Sequence, residues 1–174
     1  MRSSIGVALL LILTSLLSSP AADETKKEVT PSKVALDFIT TVFFDRNAER
    51  VAEFCLADAK RHRKLSDGET VAEYLRKTIS KLPAGDALQL KHLHVFRPSD
   101  VTEEFLKTVM PTVVERDVVA SFKPFTDAAK DGFCCIAVFD LVRGSAVRPY
   151  MFTFAFCPSE ESYKVALMDE GAPR

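Results

Sequence analysis

The chain has 174 residues, 47% of them hydrophobic and 27% charged, enough for one domain with a sizeable core and too few for two. That balance excludes a disordered body, and a formal net charge of −1 gives no overall attraction to nucleic acid or an anionic membrane.

Residues 1–21 read as a signal peptide. Met1-Arg2 is a short positive start, Ile5 to Leu17 is an apolar run of about 13 residues, and Ser19-Pro20-Ala21 supplies the small residues of a cleavage site. The run is shorter than the ~20 residues that span a bilayer, so export without stable membrane insertion is expected, to a periplasmic or extracellular destination. Residues 22–31 are polar and aperiodic, a flexible leader, and residues 32–170 form a single domain.

Thr30-Pro31 is an N-cap followed by proline at the first helical position. Val34, Phe38 and Val42, with Leu36, Ile39 and Phe43, give a helix apolar around much of its circumference, hence deeply buried. Asp45-Arg46-Asn47 breaks it, and Asn47 caps a second short helix carrying Val51, Phe54, Cys55 and Leu56. The basic run Lys60 to Lys64 reads as a solvated helix end or loop. Ser66 and Glu69 fit a capping box for a helix whose stripe is Val71, Tyr74, Leu75, Thr78, Ile79 and Leu82. Glu73 and Lys77 pair on its other face, and Pro83 and Gly85 stop it.

Ala87 to Arg97 alternates as a strand, with Leu88, Leu90, His92, His94 and Phe96 on one face. Ser99, Asp100, Glu103 and Glu104 open a short helix carrying Phe105, Leu106 and Val109 and ended by Pro111. Val113 to Phe122 is valine-rich and reads as a strand, Lys123 to Asp131 as a loop. Gly132 to Cys157 is the strongest strand signal, a hairpin turning at Arg143-Gly144-Ser145-Ala146. Tyr163 to Asp169 closes the chain, with Tyr163, Val165, Leu167 and Asp169 on one face. Helices first and strands joined by short turns predict an α+β protein with N-terminal helices packed on an antiparallel sheet.

In the hairpin register set by an even turn, Phe133, Cys135, Ala137, Phe139 and Leu141 share a face with Tyr150, Phe152, Phe154 and Phe156. The opposite face, with Ile136, Val138, Val142, Met151 and Ala155, is also apolar. Both faces therefore need a cover, and the N-terminal helices supply one. The second comes from the 99–111 insertion or from another subunit, and a homodimer through the sheet is expected. Cys55, Cys134, Cys135 and Cys157 read as small buried hydrophobes, with a bridge near the open end of the hairpin as the alternative.

The buried helix from Val34 to Phe44, the D-R-N break, the G-E-T-V-A-E-Y-L helix, the long hairpin and the closing Y-K-V-A-L-M-D strand together resemble the NTF2-like superfamily, including SnoaL-like domains, over residues 32–170. The resemblance implies a strongly bent sheet wrapped into a cone around the first helix, with a pocket between helices and sheet. Tyr74, Phe139, Tyr150, Phe152 and Phe154 would line it. The superfamily includes isomerases, cyclases and dehydratases as well as non-catalytic binding domains, so the fold does not select a function. An enzyme of this type would use Asp169 or Asp140 as base, with His92, His94 or a tyrosine as partner. His92 and His94 also have the spacing of two metal ligands, but a third ligand, such as Glu115 or Asp117, is not placed by the sequence, and no metal or cofactor is expected. The expected role is non-catalytic binding of a small apolar ligand or a protein partner. A cofactor-independent proton-transfer enzyme and a structural dimerisation module are the alternatives.

Overall fold

The protein is described from a computed structural model covering residues 29–62, 69–82, 87–110, 117–160 and 162–171. The expected signal peptide, most of the leader, Arg63 and Lys64 of the basic run, Ser66, Pro83, Gly85, Pro111 and Val113 lie outside these residues.

Helix α1 (Pro31–Ile39) starts with Pro31 at its first position and runs on through a π-helical turn, Thr40–Phe44. Val34, Ala35, Phe38, Ile39, Val42 and Phe43 are all buried, as expected of a helix beneath a sheet. The Asn47 carboxamide oxygen accepts from the Arg50 N–H at 3.2 Å and starts a single 3₁₀ turn, Arg50–Phe54. The chain then becomes strand β1 (Cys55–Arg61), where the sequence had suggested continued helix. Helix α2 (Val71–Lys81) is capped by Thr70 and Glu73, four residues later than the expected Ser66–Glu69 box. Glu73 is thus committed to the cap, and Lys77 pairs with Glu69 at 2.6 Å.

Strand β2 (Leu88–Phe96) leads to helix α3 (Glu103–Val109), capped by Thr102. Helix α4 (Val118–Ala129) follows, where a strand and a loop had been expected. Its buried residues, Val118, Phe122, Phe125 and Ala129, are spaced for one helical face, and Asp117 caps it by accepting from Ala120 N–H at 2.9 Å. Burial of that stripe outweighs the β preference of the valines. Strands β3 (Phe133–Arg143) and β4 (Ala146–Pro158) form the hairpin around Gly144-Ser145 in the expected register, Phe133 opposite Phe156 and Arg143 opposite Ala146. Strand β5 (Tyr163–Gly171) is last.

The fold is α+β, with a five-stranded mixed sheet in the order β1-β5-β4-β3-β2. It is not wholly antiparallel, because the unanticipated β1 joins β5 in parallel. One face packs on α1, α2 and the 3₁₀ turn, with Phe38 edge-on to Phe54, Phe154 and Phe156. The other packs on α3 and α4 through Phe96, Leu106, Phe122, Cys134, Ile136, Ala155 and Leu167. The second cover at that end of the sheet is therefore α4, which lies outside the expected 99–111 insertion, with α3 of the insertion packed beside it.

Two bulges decide which side chains face which way. Leu90 pairs with Phe139 but His92 pairs with Val138, so Lys91 is an extra residue in β2. Ala155 pairs with Leu167 but Phe156 pairs with Val165, so Ala166 is an extra residue in β5. Each extra residue reverses the alternation beyond it.

Candidate functional site

The β2 bulge leaves Leu88, Leu90, Leu93 and Val95 on the α1/α2 side and sends His92, His94 and Phe96 to the α3/α4 side. The β5 bulge keeps Val165 and Met168 on the α1/α2 side and turns Leu167, with Asp169 after it, to the other. Asp140, on the parity of Cys134, Ile136 and Val138, also lies on the α3/α4 side and is 3.4 Å from Lys91. All four acid–base candidates thus face away from the α1/α2 side, where the resemblance implied a pocket.

They also fail to converge. His94, Ile136, Thr153 and Asp169 occupy one row across β2, β3, β4 and β5, so His94 and Asp169 are three strand spacings apart, about 14 Å. The His92 and His94 rings do stack, with centres 5.9 Å apart. Partial burial, and then the neighbouring His92, hold His94 below the usual imidazole range. Among the described residues, no group of three or more His, Cys, Asp and Glu is placed to hold a metal ion.

The α1/α2 side does contain a cavity, but only at its outer end. Phe139 and Phe154, expected as lining, are fully buried in the core with Phe38 and Phe43 and leave no space there. Further out, a cavity of about 500 Å³ opens between α2 and the sheet, within the range of small-molecule sites. Its floor is apolar, with Leu82, Leu88, Leu141 and Phe152; Tyr74, Tyr150 and Phe152 are the expected lining residues that reach it. Tyr74, Thr78 and Lys81 stand four and three residues apart on one face of α2, so a phenol, a hydroxyl and an ammonium line one wall.

Glu170 completes the cavity, and it does so because of the Ala166 bulge: beyond the bulge, Met168 and Glu170 alternate on the α1/α2 side. Its carboxylate lies 3.6 Å from Arg61 Nη2. The Tyr74 hydroxyl shares this cavity with the Glu170 carboxylate and the Thr78 hydroxyl. Burial, then the bond to Glu170, push the Tyr74 hydroxyl up to about 12, so it is a donor and not a base near neutrality. Arg61, from the basic run read as solvated, is instead only 6% exposed along its side chain and stacks on the Tyr74 ring. Among the described residues its Nε is buried without a hydrogen-bond partner.

Neither Arg61 nor Glu170 stood out in the sequence. Arg61 was one of five consecutive basic residues, and Glu170 sat beside the more conspicuous Asp169. A larger cleft of about 720 Å³ lies near the start of α1, rimmed by exposed charged residues such as Lys33 and Glu160. It gathers no buried polar group.

Set against known proteins, the chain matches no family model and no curated protein.

Proposed function

We propose that the protein is an exported, non-catalytic NTF2-like domain that binds a small apolar ligand in the cavity between α2 and the sheet. One observation carries this reading: an apolar surface of Leu82, Leu88, Leu141 and Phe152 shares one cavity with a few polar groups, among them Tyr74, Thr78 and Glu170. Such a cavity holds an apolar body and orients it through a few hydrogen bonds. The NTF2-like assignment is supported by the buried α1 beneath the sheet, the two bulges that favour curvature, and an opening between helices and strands. The apolar start of the sequence supports export. Among the described residues no helix is long and apolar enough to cross a membrane.

The proton-transfer alternative has less support, since His92, His94, Asp140 and Asp169 face the other side of the sheet. The homodimer remains part of the proposal, moved outward on that other face. There Val138, Val142 and Met151 are half-buried and Val147 is exposed, beyond the core under α4. Light scattering that gives only the monomer mass at high concentration contradicts it.

The test of the ligand-binding reading is titration with the uncharged fluorophore N-phenyl-1-naphthylamine. Saturable one-to-one binding is expected, and Thr78→Trp, which fills the cavity from an only partly buried helix position, should abolish it. Absence of saturable binding, or binding unchanged in a folded Thr78→Trp variant, overturns the reading.

A further inference from the structure

Strand β2 is an edge of the sheet, and its α3/α4 face changes character along its length. Phe96 is buried against Phe105 and Phe122, His94 is half-buried at the border of that cluster, and His92 beyond it is exposed. The Lys91 bulge precedes both histidines, so they keep ordinary alternation between themselves and project to the same side. Their rings lie within 25° of parallel with centres 5.9 Å apart. Two imidazoles on one ion, each nitrogen about 2.1 Å from it, have ring centres roughly 5–6 Å apart. The pair already stands at that separation. Only side-chain rotation is needed to aim both nitrogens at one point, and the exposed His92 is free to turn. The nearest carboxylate by register, Asp140, faces Lys91 at 3.4 Å, so that pair adds no net charge beside the histidines.

We propose that His92 and His94 form a two-ligand chelate for a divalent transition-metal ion on the open part of the α3/α4 face. This site is separate from the cavity beside α2 and does not depend on it. Neutral imidazole nitrogens suit Ni(II), Cu(II) and Zn(II), whereas Mg(II) and Ca(II) prefer oxygen. Among the described residues no third His, Cys, Asp or Glu joins the pair, so water fills the ion's remaining positions. His62, packed against Phe125, takes no part.

Calorimetric titration of the folded, untagged protein with Ni(II), which does not oxidise the free thiols, tests the proposal. One ion per chain is expected. His92→Asn and His94→Asn should each weaken binding about a hundredfold, because the second nitrogen binds as an intramolecular partner of the first. His62→Asn should leave the affinity unchanged, Co(II) should bind more weakly than Ni(II), and Mg(II) should not compete. Absence of saturable Ni(II) binding below about 1 mM overturns the proposal. Binding that survives in the folded double variant assigns the ion to other ligands and overturns it too. Loss with only one of the two substitutions would show a single ligand and no chelate. Should His94→Asn fail to fold by circular dichroism, His92→Asn decides from its exposed position: an unchanged affinity contradicts the proposal.

Discussion

The Arg61 guanidinium carbon sits 3.4 Å from the centre of the Tyr74 ring. This contact joins β1, which the sequence hid, to α2, and through Glu170 it reaches β5. A guanidinium on an aromatic face is attracted by the ring quadrupole, the more so when water is excluded. The stack therefore ties an edge strand to the helix that walls the cavity.

The two halves of the Arg61–Glu170 pair should respond differently to substitution. Glu170→Ala leaves a buried cation without its carboxylate and should cost about 2 kcal/mol, less than for a fully buried pair because Glu170 is partly exposed. Arg61→Met replaces the cation by an apolar chain of similar length that still covers Tyr74, and should cost less than half as much. Denaturant unfolding of both variants measures the difference. Equal losses would mean that the pair is held by packing alone.

Tyr74 should ionise late. Its hydroxyl is held up to about 12 against an ordinary value of 10.0, first by burial and then by the bond to Glu170. Absorbance titration at alkaline pH should show a late phase that Tyr74→Phe removes. Because the folded value is raised, the stabilisation from the protonated hydroxyl is complete below the ordinary value and is lost as pH climbs from about 10 through about 12. A Tyr74→Phe variant that keeps the late phase would refute this placement.

Gly132 allows no side chain. A Cβ there would lie 1.9 Å from the Phe156 carbonyl oxygen and 3.0 Å from that of Ala129, both backbone atoms. Gly132→Ala must push β3 from β4 where α4 enters the hairpin, at a cost of about 3 kcal/mol. A variant within 0.5 kcal/mol of the parent, about the scatter of neutral surface changes, would show that the close approach is not there.

The cysteines should behave as core residues. Burial pushes the Cys55 and Cys134 thiols up to about 12 and Cys135 higher still, while Cys157 is half-buried. In the β3–β4 register Cys134 faces Ala155 and Cys157 lies beyond Phe156, so the two are diagonal, and all four cysteines are free. A thiol reagent should modify at most one cysteine quickly in the native state and all four after unfolding. Rapid modification of two or more native thiols would contradict the burial.

Much of this fold was legible in the sequence. The even turn at Gly144-Ser145 set the hairpin register, and with it the rows that contain Phe139, Phe152 and Phe154. Thr30-Pro31 and the acidic start of α3 marked helix beginnings by ordinary capping chemistry. Strand β1 was hidden because C-L-A-D-A-K-R does not alternate and buries only Cys55 and Ala59. Helix α4 was hidden because the helix begins in valines and contains Pro124. The site was obscured for a sharper reason: the bulges at Lys91 and Ala166 have no sequence signal, yet each reverses every side chain after it. They exchange His92 and Asp169 for Leu93 and Glu170 on the cavity side.

The central claim is the location of the site on the α2 side of the sheet, and amide shift mapping with N-phenyl-1-naphthylamine tests it most directly. The probe's ring currents should move the amides of Tyr74, Thr78, Leu82, Leu141, Phe152 and Glu170 and leave those of His92, His94 and Met151 in place. Shifts centred on His92, His94 and Met151, with Tyr74 and Glu170 unmoved, would contradict the account.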